Sequence, residues 1–243
     1  GMQVQLLLPE SASEQQIKNI MGQLGEYGAA YEVDIGRVHT EISELVKAPL
    51  LTLSGFGKQD VTETGSSRFC PGQQIIMTKW AGAAGAAELA YVNKRSLMKY
   101  FPAVYVDEAV EYLWEKTAGE SLLSIEKEIK TAWDMGARAF HNITKNGVFG
   151  ALWEMAEMSH AGLEVNFAAI PVRQESIEIC EQYGVNLYET DSLGSVLIGT
   201  EHGEDLVRRL REEGIPAAII GRVTDGNDRT ICRGEETRFL TPP

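Results

Sequence analysis

Residues 3–8, Gln-Val-Gln-Leu-Leu-Leu, form a short apolar run closed by Pro9, the pattern of a strand that starts almost at the first residue. Ser13 and Glu14 then precede Ile17, Ile20, Met21 and Leu24 at helical spacing, which predicts a capped amphipathic helix ending near Gly28. Stretches 31–35 and 50–53 read as further strands, joined by a polar connection over 37–44. Between Gly55 and Gly72 the composition turns to Gly, Ser, Thr and Gln, and Pro71-Gly72 signals a turn before the buried-type strand 74–79. A domain boundary is expected there, dividing the chain into 1–71 and 72–243.

Beyond it the periodicity predicts helices over about 85–93, 106–116 and 123–135, with Gly119 and Gly136 ending two of them. Residues 139–143 are strand-like and Asn146-Gly147 turns the chain. A helix over 148–159 then places Leu152, Met155, Ala156 and Ser159 on one face. Strands over 163–170, 195–200, 217–223 and 230–233 alternate with helices over 174–183 and 204–213. Such alternation predicts an α/β (α+β) sandwich.

Composition narrows the function classes. Hydrophobic residues make up 44% of 243 positions, enough for a sizeable core in one large or two modest domains. Against 35 acidic residues stand 22 basic ones, and the formal charge of −13 repels polyanions, so no nucleic-acid partner is expected. No apolar run is long enough to span a bilayer and no secretory layout opens the chain, which predicts a cytoplasmic protein with no membrane partner. Cys70, Cys180 and Cys232 are odd in number and lack a paired spacing, so they read as free thiols. Gly1 ahead of Met2 reads as a remnant of tag removal.

The run Gly147-Val148-Phe149-Gly150-Ala151-Leu152-Trp153-Glu154-Met155-Ala156 is followed in order by Ile170-Pro171-Val172, Ile179-Cys180, Ser192-Leu193-Gly194 and Gly214-Ile215-Pro216-Ala217-Ala218-Ile219-Ile220-Gly221. This series resembles the C-terminal domain of the AIR synthase (aminoimidazole ribonucleotide synthetase) related and hydrogenase-maturation superfamily. Pro71-Gly72-Gln73 and Ile75-Ile76-Met77-Thr78-Lys79 resemble the entry into that domain. Residues 6–57 resemble the second half of the superfamily's N-terminal domain. The resemblance implies an AIR synthase C-terminal-like sandwich after a shortened N-terminal-like α+β domain. It also implies ATP and Mg²⁺ as cofactors of a ligase- or kinase-like enzyme, and a homodimer through the N-terminal sheet. The strand at 3–8, with none before it, would leave an exposed edge for a second chain to cover.

Three segments match the superfamily's chemistry. Phosphoryl transfer needs carboxylate-held Mg²⁺ and donors facing phosphate oxygens. The resemblance casts Gly36-Arg37-Val38-His39-Thr40-Glu41 as the nucleotide loop, with His39 and Thr40 toward phosphate and Glu41 toward metal; the alternative is a polar connection in which Thr40 caps a turn. In His141-Asn142-Ile143-Thr144-Lys145-Asn146-Gly147, Asn142, Thr144, Lys145 and Gly147 are phosphate candidates at a helix N-terminus. Here Asn142 stands where the family has Asp and Lys145 where it has Glu, which removes metal carboxylates; the alternative is a surface turn that only starts a helix. Third, Gly82 and Gly85 in Trp80-Ala81-Gly82-Ala83-Ala84-Gly85 could bare backbone amides to an anion, or simply allow close packing of helix on sheet. The reactive C-terminal cysteine of hydrogenase-maturation relatives has no counterpart in Phe239-Leu240-Thr241-Pro242-Pro243. Two functions follow as expectations: ATP-dependent chemistry, or a non-catalytic, dimerising relative that binds a small anion or nucleotide with little response to Mg²⁺.

Overall fold

The computed structural model describes residues 1–58, 68–114, 116–117 and 120–243. The chain divides into two compact units, Gly1–Thr64 and Gly65–Pro243. Residues 59–67 of the polar stretch, and Gly119, lie outside the described residues.

The first unit contains strand β1 (Met2–Leu8), helix α1 (Glu14–Ala30), strand β2 (Ile35–Ile42) and strand β3 (Leu50–Gly55). Ser13 caps α1: its hydroxyl accepts from the Gln16 amide, and the Gln16 side chain accepts from the Ser13 amide, satisfying two donors at the helix start. Val4, Leu6 and Leu8 alternate onto the buried face of β1 while Gln3 and Gln5 stay exposed. The sheet order is β2-β1-β3, with β1 parallel to β2 and antiparallel to β3. Two expectations are corrected here. The strand at 3–8 is central rather than an exposed edge, because the crossover through α1 and the return through β3 pair both of its sides. The polar connection over 37–44 is instead the strand Ile35–Ile42, whose alternating Arg37, His39 and Glu41 belong to a solvent-facing sheet side.

The second unit is built on a seven-stranded sheet of order β12-β11-β8-β10-β4-β9-β7. Its strands are β4 (Gln74–Thr78), β7 (Ala139–Ile143), β8 (Gly162–Asn166), β9 (Ser195–Thr200), β10 (Ala217–Thr224), β11 (Arg229–Arg233) and β12 (Glu236–Phe239). A two-stranded pair, β5 (Lys116–Thr117) and β6 (Glu120–Ser121), stands apart. The helices are α2 (Ala83–Leu97), α3 (Ala103–Glu111), α4 (Glu126–Asp134), α5 (Gly147–Ser159), α6 (Gln174–Gln182) and α7 (Gly203–Glu212). Pairing is antiparallel except for β8 with β11.

Alternation along β4 explains the layering. Ile75 and Met77 join a core with Val148, Leu152 and Met155 of α5, whereas Ile76 joins the opposite core with Leu206 and Leu210 of α7. Both faces are covered, so β9 is buried at every position. Burying side chains on both faces gives these strands their continuous apolar sequence. A third cluster joins Ala90 and Leu97 of α2, Val106 and Val110 of α3, and Ile179 of α6.

At the end of β4, Lys79 is 2% exposed in a left-handed backbone conformation (φ 53°). Its Nζ lies 2.6 Å from the Glu128 carboxylate of α4 and donates to the carbonyls of Ser124 and of Gly194, the latter at 3.0 Å. One buried ammonium therefore ties the central sheet to two separate loops.

Candidate functional site

The most sharply constructed turn follows β7. Ile143 is fully buried at the strand end, and Thr144, Lys145 and Asn146 then turn outward before α5. Gly147 has φ 63°, and a Cβ there would strike the Tyr188 carbonyl, so only glycine fits both the conformation and the contact. Asn146 precedes the helix without capping it; its Nδ2 instead donates to Glu154 Oε1 at 3.1 Å. Glu154 Oε2 lies 3.2 Å from Nε2 of His141. Glu154 sits two helical turns beyond Gly147, close to the same helix face, so one carboxylate holds both the strand and the turn. Thr144 and Lys145 remain exposed on this pinned turn, and Asn142 is exposed on the opposite face of β7.

The start of α2 is arranged differently. Gly82 (φ 64°) donates its amide to the buried Ser192 hydroxyl at 2.7 Å, and Gly85 donates to the Asp191 carbonyl at 2.9 Å. A Cβ at Gly82 would strike Leu187, and one at Gly85 would strike Thr190. The segment 187–192 thus lies directly on this helix start, and the two glycines permit that close approach. Their amides are already engaged by protein acceptors.

In the first unit, period-two alternation splits the third group. His39 and Glu41 share the open sheet face, with His39 Nε2 and Glu41 Oε2 4.0 Å apart, while Thr40 belongs to the other face. Gln3, Gln5, Arg37, His39, Thr52 and Ser54 line a polar depression of about 360 Å³ on that open face. Structure therefore brings together Thr144, Lys145 and Gly147 on one turn and His39 with Glu41 on one strand, while Asn142 lies within β7 on the sheet face opposite α5. It separates Thr40 from its neighbours and seats Gly82 and Gly85 in packing.

Two polar residues that tie these elements together had no sequence assignment of their own. Glu154 was available from its helical spacing after Asn146. Ser192 had no such signal, because it acts through a chain contact 110 residues away.

Mg²⁺ prefers an octahedron of oxygens with one or two carboxylates. Glu41 offers one carboxylate beside an imidazole, and the α5 turn offers a hydroxyl, an ammonium and the single carboxylate of Glu154, which Asn146 and His141 already engage. Among the described residues no group of three or more His, Cys, Asp or Glu side chains gathers to hold a metal. These residues do not fit Mg²⁺. An anion fits the α5 turn better, since Lys145 supplies a full positive charge beside hydroxyl and amide donors.

This geometry and the sheet covered on both faces define a protein of the AIR synthase fold class. Residues 71–232 match the family described as AIR synthase related protein, C-terminal domain, and the chain belongs to that family. A putative hydrogenase expression/formation protein of Methanocaldococcus jannaschii is 25% identical over 231 residues, covering 92% of this chain and 64% of the relative. The chain thus spans less than two thirds of that relative's length. Among solved structures, HypE of E. coli, a hydrogenase maturation protein, superposes over 100% of this chain and 74% of its own with a TM-score of 0.78 and 18% identity. HypE in complex with ATP matches at a TM-score of 0.77 and 19% identity, over 100% of this chain and 72% of its own. Both units therefore take part in the shared fold, and the α/β (α+β) expectation holds. Among the described residues no helix is long and apolar enough to cross a membrane.

Proposed function

We propose that this protein is a hydrogenase-maturation-like member of the AIR synthase family that binds a phosphate-bearing ligand, ATP or a smaller anion, at the α5 turn with little dependence on Mg²⁺. The observation that carries this reading is the turn itself: Lys145 and Thr144 project from a frame pinned by Glu154 to both His141 and Asn146. The likeness to a HypE structure solved with ATP supports a nucleotide as the ligand. The donor set argues against Mg²⁺-assisted phosphoryl transfer by this chain alone, because removing metal carboxylates removes the main charge stabilisation of that reaction. The domain reading, with a N-terminal-like domain to residue 71 and a C-terminal-like domain after it, belongs to the same proposal, as does a cytoplasmic location.

Titration calorimetry with ATP, with and without Mg²⁺, tests the proposal. Weak binding that changes less than about threefold on adding Mg²⁺, and that Lys145→Ala weakens roughly tenfold, is expected from losing a charge-assisted hydrogen bond of about 1.4 kcal/mol. Tight binding that needs Mg²⁺ would overturn it.

We further infer a homodimer through the first unit's sheet, with β3 rather than β1 as the strand that meets the partner. Every residue of β3 is exposed, including Leu50 at 55% and Leu53 at 50%, and among the described residues its outer edge has no strand partner. Light scattering that finds only monomer at micromolar concentration would refute this.

A further inference from the structure

Three rings from three distant parts of the second unit meet beside the β11–β12 hairpin. Phe149 of α5 stacks on Tyr188 with centroids 5.2 Å apart and planes 11° from parallel. Phe167, in the short 3₁₀ turn after β8, lies 4.7 Å from Tyr188 and 6.5 Å from Phe149. They form an aromatic floor rather than a sealed core, since all three remain partly exposed. Phe149 and Phe167 open into a cavity of about 270 Å³ whose far wall is Ile231, Phe239 and Leu240. Leu240 is buried and fixes that wall, while Phe239 is 71% exposed at the rim.

The cavity also receives charge of both signs, from Arg233 and Arg238 and from Glu189 and Glu236. Arg233, at the end of β11, sets its guanidinium 5.5 Å from the Phe167 ring centre, and no carboxylate lies within ion-pair distance of it among the described residues. Its neighbour Arg238 is already engaged, with Nε and Nη2 both donating to Glu236 Oε1 at 3.0 and 2.6 Å. Burial pushes the Tyr188 phenol above its ordinary pKa and the Arg233 charge pulls it the other way, which places that charge within electrostatic reach of the floor. An unpaired guanidinium offers a planar fork of donors suited to carboxylate or phosphate. A ring floor suits a flat apolar body. Cavities for drug-sized ligands run from about 300 to 1,000 Å³, so this one is too small for a whole nucleotide and suits one ring with its substituent.

We propose that this cavity is a binding site for a small single-ring aromatic anion, whose ring lies on Phe149 and Phe167, backed by Tyr188, and whose carboxylate or phosphate is held by Arg233. Thr144, Lys145 and Gly147 of the α5 turn do not line the cavity.

Benzoate and phenyl phosphate are the probes, with benzyl alcohol as the uncharged ring and inorganic phosphate as the ringless anion. Binding is read by heteronuclear NMR shifts on the intact chain, with the methyl groups of Ile231 and Leu240 as reporters. Both ring-bearing anions should shift these signals at millimolar concentration or below, and each control should bind at least tenfold more weakly. Arg233→Gln should weaken the anions roughly tenfold and leave benzyl alcohol unchanged. Arg233 is exposed, so its variant should keep the parent's melting temperature; Phe239→Ala, a second exposed change, should weaken every ring-bearing probe. Equal binding by benzyl alcohol, equal binding by inorganic phosphate, an unaltered Arg233→Gln titration, or no shift with any probe up to tens of millimolar would each overturn the proposal.

Discussion

The buried pair of Lys79 and Glu128 gives a quantitative test of how the second unit is held together. Both side chains are almost wholly excluded from water, at 3% and 2% exposure, and they meet at 2.6 Å. Lys79→Met keeps the length and apolar stem of the side chain but strands three acceptors: the Glu128 carboxylate and the carbonyls of Ser124 and Gly194. Removing one partner of a buried pair costs about 3–5 kcal/mol, because the remaining charge is left desolvated and uncompensated. Urea denaturation should therefore show a loss of that size for Lys79→Met. The double variant Lys79→Met/Glu128→Leu removes the stranded carboxylate as well, and replacing both partners by apolar groups can be near neutral. It should recover most of the loss, leaving about 1–3 kcal/mol for the two loop carbonyls. The coupling read from this cycle should exceed about 1 kcal/mol. A Lys79→Met cost below about 1 kcal/mol, or a double variant no better than the single, would refute the claim that this pair closes the sheet onto its loops.

At Gly147, Ala combines a left-handed backbone conformation, worth about 1–2 kcal/mol, with a clash against the Tyr188 carbonyl, so urea denaturation should report a loss of at least 2 kcal/mol. Burial pushes the Cys180 thiol up from 9.0 to about 11. A raised pKa means that its stabilising share is whole below pH 9 and drains away as pH rises through about 11, since the unfolded thiol ionises first. Cys180→Ala should therefore flatten the fall in stability between those pH values, and a parallel curve for parent and variant would contradict it. In the native protein at pH 8, iodoacetamide should modify the exposed Cys70 well before the buried Cys180, as peptide mass spectrometry would show.

Legibility in the sequence followed burial. Strands β4 and β9 carry apolar residues on both faces and were readable as buried runs, and Ser13 announced α1 through its cap. The strand β2 was not readable, because Arg37, His39 and Glu41 on its open face give it the polarity of a connection, and only pairing to β1 reveals it. The second hairpin strand β12 failed for the same reason: Glu236, Thr237 and Arg238 are all exposed, and their order comes from β11. At the candidate sites, Lys145 and its turn lie within one contiguous segment and could be named from it. Gly82 and Gly85 could not be understood locally, since the segment that covers them arrives about a hundred residues later. Arg233 and its aromatic floor are drawn from four separate elements, with no spacing rule to connect them.

The position of β4 also sets a schedule for folding. As the first strand of its unit to be synthesised, it pairs on one side with Ser195–Thr200 and on the other with Ala217–Thr224. Until the ribosome has released Thr224, Ile75, Ile76 and Met77 have no strand neighbours on at least one side. Closing such long loops is entropically slow, and exposed strand edges invite association meanwhile. A chain folded only as far as residue 200 would hold a three-stranded β4-β9-β7 sheet whose β4 side, later covered by Ala217–Thr224, is an extra edge open to association.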